Sequence, residues 1–138
     1  MKSYTRKYHH GASTESKENI LREGINQMKS EKGYFGRGFY ATEDVNLARE
    51  NYAKFSGDDP SGEAIVSFVI PDSAKILDLK NSQDFETYKN LRYRGRPVAD
   101  LRFLDNFHEI MVNLGIDGLK DESFRGIVIY NEKLVKFL

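Results

Sequence analysis

The chain has 138 residues and balances 21 Lys and Arg against 21 Asp and Glu, so its formal net charge is zero. This length fits one domain and buries roughly two thirds of the unfolded surface without a disulfide or metal staple. The balance excludes a general basic field for nucleic acid, and the absence of cysteine excludes disulfides, thiolate zinc sites and cysteine nucleophiles.

Apolar residues at 39% and charged residues at 30% suit a soluble globular chain. No stretch approaches the ~18 apolar residues of a membrane span. MKSYTRKYHH has no apolar segment behind its basic residues and so does not read as a secretory signal. A cytoplasmic protein is compatible with these features.

In chain order, SYTRKYH (3–9) alternates loosely and is rich in β-prone types, which predicts a strand. STESKENILREG then predicts a short helix. Ser13 or Thr14 caps it, Glu15 and Glu18 sit in the favourable first turn, and Gly24 stops it. Ile20, Leu21 and Ile25 give it a buried side. KGYFGRGFYAT places Gly33, Gly36 and Gly38 ahead of an aromatic pair, a pattern of tight turns or close backbone approach. TEDVNLARENYAKF predicts a second helix capped by Thr42, with Val45, Ala48 and Tyr52 on one face.

SGDDPSG reads as a loop, EAIVSFVIP as a strong strand stopped by Pro71, and AKILDL as another strand. SQDFETYKNL is helical in pattern and RYRGRP is a turn or loop. VADLRFLDNFHEIMVNLG predicts a helix ending at Gly115, with Leu101, Leu104, Phe107, Met111 and Leu114 as its apolar stripe. The tail holds two or three strands, GIVIY the clearest. Strands and helices interleave without a regular βα rhythm, which favours a mixed α+β fold over a doubly wound one.

Two of the three histidines stand together in YHHGAST (8–14). Either they are strand-end polar residues, or one of them is held against a ligand. Alternation along a strand sends His9 and His10 to opposite faces. Tyr40 and Tyr52 read as core aromatics on periodicity alone, and His108 as a core or surface histidine of the long helix. No second ligand stands at metal-binding spacing. RYRGR is either a solvated face or a phosphate contact made by Arg92, Arg94 and Arg96, with Tyr93 stacking on a base.

Taken together, HHGAS, then GRGFYAT with ARENYA, then IDGLKDESFRGIVIYN resemble the ADP-ribosyltransferase superfamily, in its diphtheria-toxin and poly(ADP-ribose) polymerase branch. That branch carries a His-Gly on its first core strand, a Gly-x-Tyr on the next, a second tyrosine on the following helix, and a glutamate on a late strand. The resemblance spans residues 8 to 138. It implies split mixed β-sheets with flanking helices and a single catalytic domain that takes NAD as substrate, without a metal.

It also implies roles. His10 would hydrogen-bond the adenosine ribose, and Gly11 would meet the nicotinamide amide through its backbone. Tyr40 and Tyr52 would hold the nicotinamide ring between them, with Ser13 and Gly38 completing the NAD contacts. The chemistry implied is release of nicotinamide and transfer of ADP-ribose, with inversion at the ribose carbon, to a macromolecular acceptor, protein or nucleic acid. A monomeric effector or toxin, bacterial or phage, acting in its own or a host cytosol fits that class by analogy.

The chain departs from the pattern at the glutamate. Aligning GIVIYN on the late strand puts Gly126 at that position, with Arg125 before it. Asp121, Glu122 and Glu132 are the nearest acids. Glu122, in the segment that the family uses as its substrate-facing loop, is the first substitute, and Phe124 and Arg125 beside it would meet the acceptor. Two other classes compete: a pseudoenzyme that holds NAD or ADP-ribose without turnover, and an RNA 2′-phosphotransferase-like enzyme, for which RYRGR is the only pointer.

Overall fold

A computed structural model describes residues 3–29, 33–50, 64–94 and 99–138. Alternating or continuous apolar runs become strands: β1 (Arg6–Gly11), β2 (Phe39–Thr42), β3 (Ile65–Ile70), β4 (Ile76–Asp78), β5 (Gly118–Asp121), β6 (Gly126–Ile129) and β7 (Lys136–Phe137). The described helices are α1 (Thr14–Glu23), α2 (Val45–Ala48), α3 (Ser82–Tyr93) and α4 (Phe107–Asn113). The fold is of the mixed α+β class. Its strands join one seven-stranded sheet in the order β4-β5-β6-β2-β1-β3-β7, with only β4 and β5 parallel.

The two faces of the sheet bury different cores because side chains alternate along each strand. On β6, Ile127 and Ile129 join Tyr8, Phe39, Ala41, Phe68 and Ile70 on one face, over which Ile20 of α1 packs. Val128 and the neighbouring Tyr130 join Leu77, Leu119 and Phe35 on the other, where Tyr88 of α3 and Phe107 and Met111 of α4 close the core.

Pairing is uneven across the sheet. β1 matches β3 over six residue pairs, and β2 matches β6 over four. Between β1 and β2 the register holds at one pair, His9 with Thr42. The two central strands thus meet at one end and leave a seam.

Local chemistry decides the helix boundaries. Ser13 is the cap of α1, its hydroxyl accepting from Ser16 N at 3.1 Å. Gly24 ends the helix at φ +85°, a left-handed value that a side chain would strain. For α2 the expected cap Thr42 is replaced by Asp44, whose carboxylate accepts from Asn46 N and Leu47 N. Thr42 is engaged elsewhere: its hydroxyl donates to Arg125 O at 2.7 Å. Residues 51–55 of the expected second helix, Tyr52 included, lie outside the described residues, as does the SGDDPSG loop.

The helix expected over 98–115 is broken in two. A single 3₁₀ turn, Leu101–Phe103, precedes α4, and Leu104 between them is extended at φ −74°, ψ 142°. Asp100 caps the start of that turn, its carboxylate accepting from Arg102 N and from the guanidinium groups of Arg92 and Arg102. Phe107 and Met111 are buried as the stripe requires, but Leu104 and Leu114 are exposed.

Candidate functional site

The seam positions His10. Its Nδ1 lies 2.5 Å from Tyr40 O, and its ring stacks on Phe39 with centroids 4.2 Å apart and planes 25° apart. A carbonyl oxygen only accepts, so Nδ1 carries the proton and Nε2 is left as a lone-pair acceptor. Burial pushes the imidazole pKa below its usual value, against the opposing hydrogen bond to Tyr40. Nε2 is the ring's unused hydrogen-bonding atom among the described residues. His9, one residue back, hydrogen-bonds Ser67 Oγ at 2.7 Å and is spent on β3.

His10 lines a cavity of about 460 Å³. One wall is a face of α1, Ser16, Asn19, Ile20 and Glu23, continued by the segment from Gly24 to Gln27. The other wall is Gly33 with Gly38, Phe39 and Tyr40. Volume and lining suit a small ligand that offers hydroxyl or amide groups beside one flat surface.

Tyr40 has a structural duty here. Its hydroxyl donates to Gly36 O at 2.6 Å and accepts from Phe35 N at 3.0 Å, and a Cβ added at Gly33 would stand 2.6 Å from its Cζ. Burial pushes its phenol far above the usual value. Gly38 has one too, since a Cβ there would collide with the Val128 side chain. Gly11 closes β1 opposite Ile65, and Ser13 caps α1 without lining the cavity.

The structure gathers His10, Gly38 and Tyr40 at one cavity and puts Glu122 and Arg125 at another. The second cavity, about 140 Å³, also takes in Tyr8, Thr42, Lys120 and Asp121. Arg125 pairs with Asp44 at 3.2 Å and Lys120 with Glu43 at 3.5 Å. Phe124 ends the 3₁₀ turn Glu122–Phe124, which Asp121 caps through Ser123 N. Glu132 opens the turn after β6, and Gly126 pairs with Thr42. From RYRGR, Arg92 is tied to Asp100 and Arg94 is a left-handed, exposed residue that ends α3. Arg96 lies outside the described residues.

Sequence reasoning missed Asn19 and Glu23 as cavity residues. The available signal was spacing: Ser16, Asn19 and Glu23 flank Ile20 at i, i+3 and i+7, so the residue that faces the sheet carries them with it. Among the described residues no group of three His, Asp or Glu side chains is placed to hold a metal ion, and no helix is long and apolar enough to cross a membrane. Comparison of this chain with protein families, with curated proteins and with solved structures finds no match.

Proposed function

We propose that the protein is an NAD-dependent mono-ADP-ribosyltransferase that binds NAD in the His10 cavity and modifies a macromolecular acceptor. The observation that carries this reading is the imidazole at the seam: Nδ1 is fixed by Tyr40 O, and Nε2 remains as an acceptor on a cavity of ligand size. A ribose hydroxyl donates to such an atom without any proton rearrangement. The surrounding fold supports the same reading. The His-Gly strand β1 lies beside β2, which carries Gly-x-Tyr at its start, and β2 pairs with the late strand β6. The resemblance implies split sheets, whereas the strands here join one seven-stranded sheet that is thinly paired between β1 and β2.

In the reaction, the bond between ribose C1′ and the nicotinamide nitrogen breaks and its electron pair leaves with nicotinamide. A nucleophilic atom of the acceptor, protein or nucleic acid, then bonds C1′ from the opposite face and gives up its proton to water. A freely acting bacterial or phage effector or toxin suits this chemistry.

A second reading, an NAD- or ADP-ribose-binding module without turnover, is favoured by one observation. Gly126 occupies the strand position of the expected glutamate, and Asp121 and Glu122 line the other cavity. Labelled NAD incubated with the protein and cell lysate separates the two. Transfer of label to a macromolecule, lost in His10→Ala, is the outcome expected of a transferase. NAD binding with no label transferred and no nicotinamide released leaves the binding module.

A further inference from the structure

We propose that Glu23, in the last turn of α1, is the carboxylate that faces the nicotinamide ribose in the His10 cavity; this rests on the transferase reading. Ser16, Asn19, Ile20 and Glu23 recur at i, i+3, i+4 and i+7 and form one helical face. All four line the cavity. Ile20 packs against the core under the sheet and so sets the rotation of α1, which turns the polar members of the face towards the cavity. Among the described residues, Glu23 is the only acid that lines it, whereas Glu43, Asp44, Asp121 and Glu122 all line the second cavity.

The carboxylate is also available. Its side chain is 56% exposed, and its ion pair is a solvent-exposed contact with Arg22 at 3.5 Å. Pairs of that kind contribute little and yield readily to a ligand. Helix polarity works in the same direction, because the C-terminal end of a helix carries partial negative charge, and Glu23 is the last residue of this ten-residue helix. As the C1′–N bond breaks and its electron pair passes to nicotinamide, positive charge develops on C1′ and the ring oxygen. A carboxylate that accepts a hydrogen bond from a ribose hydroxyl and faces that charge stabilises it. The acceptor's lone pair then forms the new bond at C1′, and the acceptor's proton goes to water.

The test uses the full chain and its Glu23→Gln and Glu122→Gln variants, with nicotinamide release and NAD affinity measured for each. Glu23→Gln is expected to lower release at saturating NAD roughly 100-fold and affinity roughly 10-fold, while Glu122→Gln behaves as wild type. An analogue of NAD without the 2′-hydroxyl on the nicotinamide ribose should bind the wild type and Glu23→Gln alike. Release by Glu23→Gln at the wild-type rate, or the loss appearing in Glu122→Gln instead, overturns the assignment. A wild type that binds NAD but releases no nicotinamide overturns the transferase reading alone. Affinity then decides Glu23: a loss for NAD that is absent with the analogue supports it, and any other pattern overturns it. A wild type that does not bind NAD overturns both.

Discussion

His10 is held by two contacts of different kinds, a hydrogen bond that fixes its tautomer and a ring stack that fixes its plane. Its pKa is lowered first by burial, so the native ring is neutral while the unfolded ring titrates near the usual 6.5. The sign follows. Below that value the unfolded state binds more protons than the native one, so this contribution to stability is complete above about pH 6.5 and is lost as pH falls through the lowered native value. His9 is shifted the same way, so His10 must be isolated by subtraction. Urea midpoints from pH 8 to 5 are expected to fall further for wild type than for His10→Gln, and parallel slopes would count against a neutral buried ring. NAD affinity should hold while the native ring stays neutral and drop only as pH falls through its lowered native value, because a protonated Nε2 donates and no longer accepts. Residue-level reading of the sequence reached this histidine and separated it from His9, since strand alternation alone does that. It did not reach the hydroxyl of Tyr40, because nothing in the spacing says that a loop five residues earlier will claim it.

Elements were legible where local chemistry and tertiary packing agree. Helix α1 has its cap at Ser13 and its stop at Gly24, as the residue types direct. The helix expected over 98–115 is interrupted at Leu104, and the turn ahead of the interruption is anchored by one carboxylate. Asp100 binds Arg92 on α3 and Arg102 in the 3₁₀ turn, each at 2.7 Å, and Arg102 also donates to Tyr34 O at 2.9 Å. The link ties the end of α3 to the turn eight residues on, and through Arg102 to Tyr34, 68 residues away, a contact that no window of local pattern reports. Burial works to raise the Asp100 pKa, but hydrogen bonds from Arg102 and Arg92 outweigh it and hold the carboxyl far below the usual range. Its contribution is thus present above the ordinary carboxyl value near 3.8 and is lost only as pH falls well below it. Asp100→Asn should cost about 2 kcal/mol, less than the loss at a fully buried pair, because the three side chains keep some exposure. The difference from wild type, measured by chemical denaturation, should stay constant from pH 7 to pH 4. A difference that shrinks steadily over that interval would show that the arginines do not hold the carboxylate ionised.

On the scale of the molecule, the sheet consists of two well-paired groups, β4-β5-β6-β2 and β1-β3-β7, joined through one residue pair. Sequence alternation identifies the strands but not this junction, because pairing partners distant in the chain leave no periodic trace. Yet the junction determines which residues share a cavity: His10 opens on the α1 side, while Glu122 and Arg125 sit at the other. Backbone groups with few partners open at lower free energy than those in a full ladder. Amide exchange should therefore be faster along the seam than between β1 and β3. A ligand that fills the His10 cavity contacts α1 and β2 together and should slow exchange at residues 16–24 and 38–41. Residues 120–126, which border the other cavity, should keep their free rates. Hydrogen exchange read by mass spectrometry, with and without NAD, discriminates the two sites without requiring turnover. Protection confined to 120–126 would move the ligand to the second cavity and restore Glu122 as the acid beside it. Protection of α1 and the start of β2 would leave Glu23 as the carboxylate within reach.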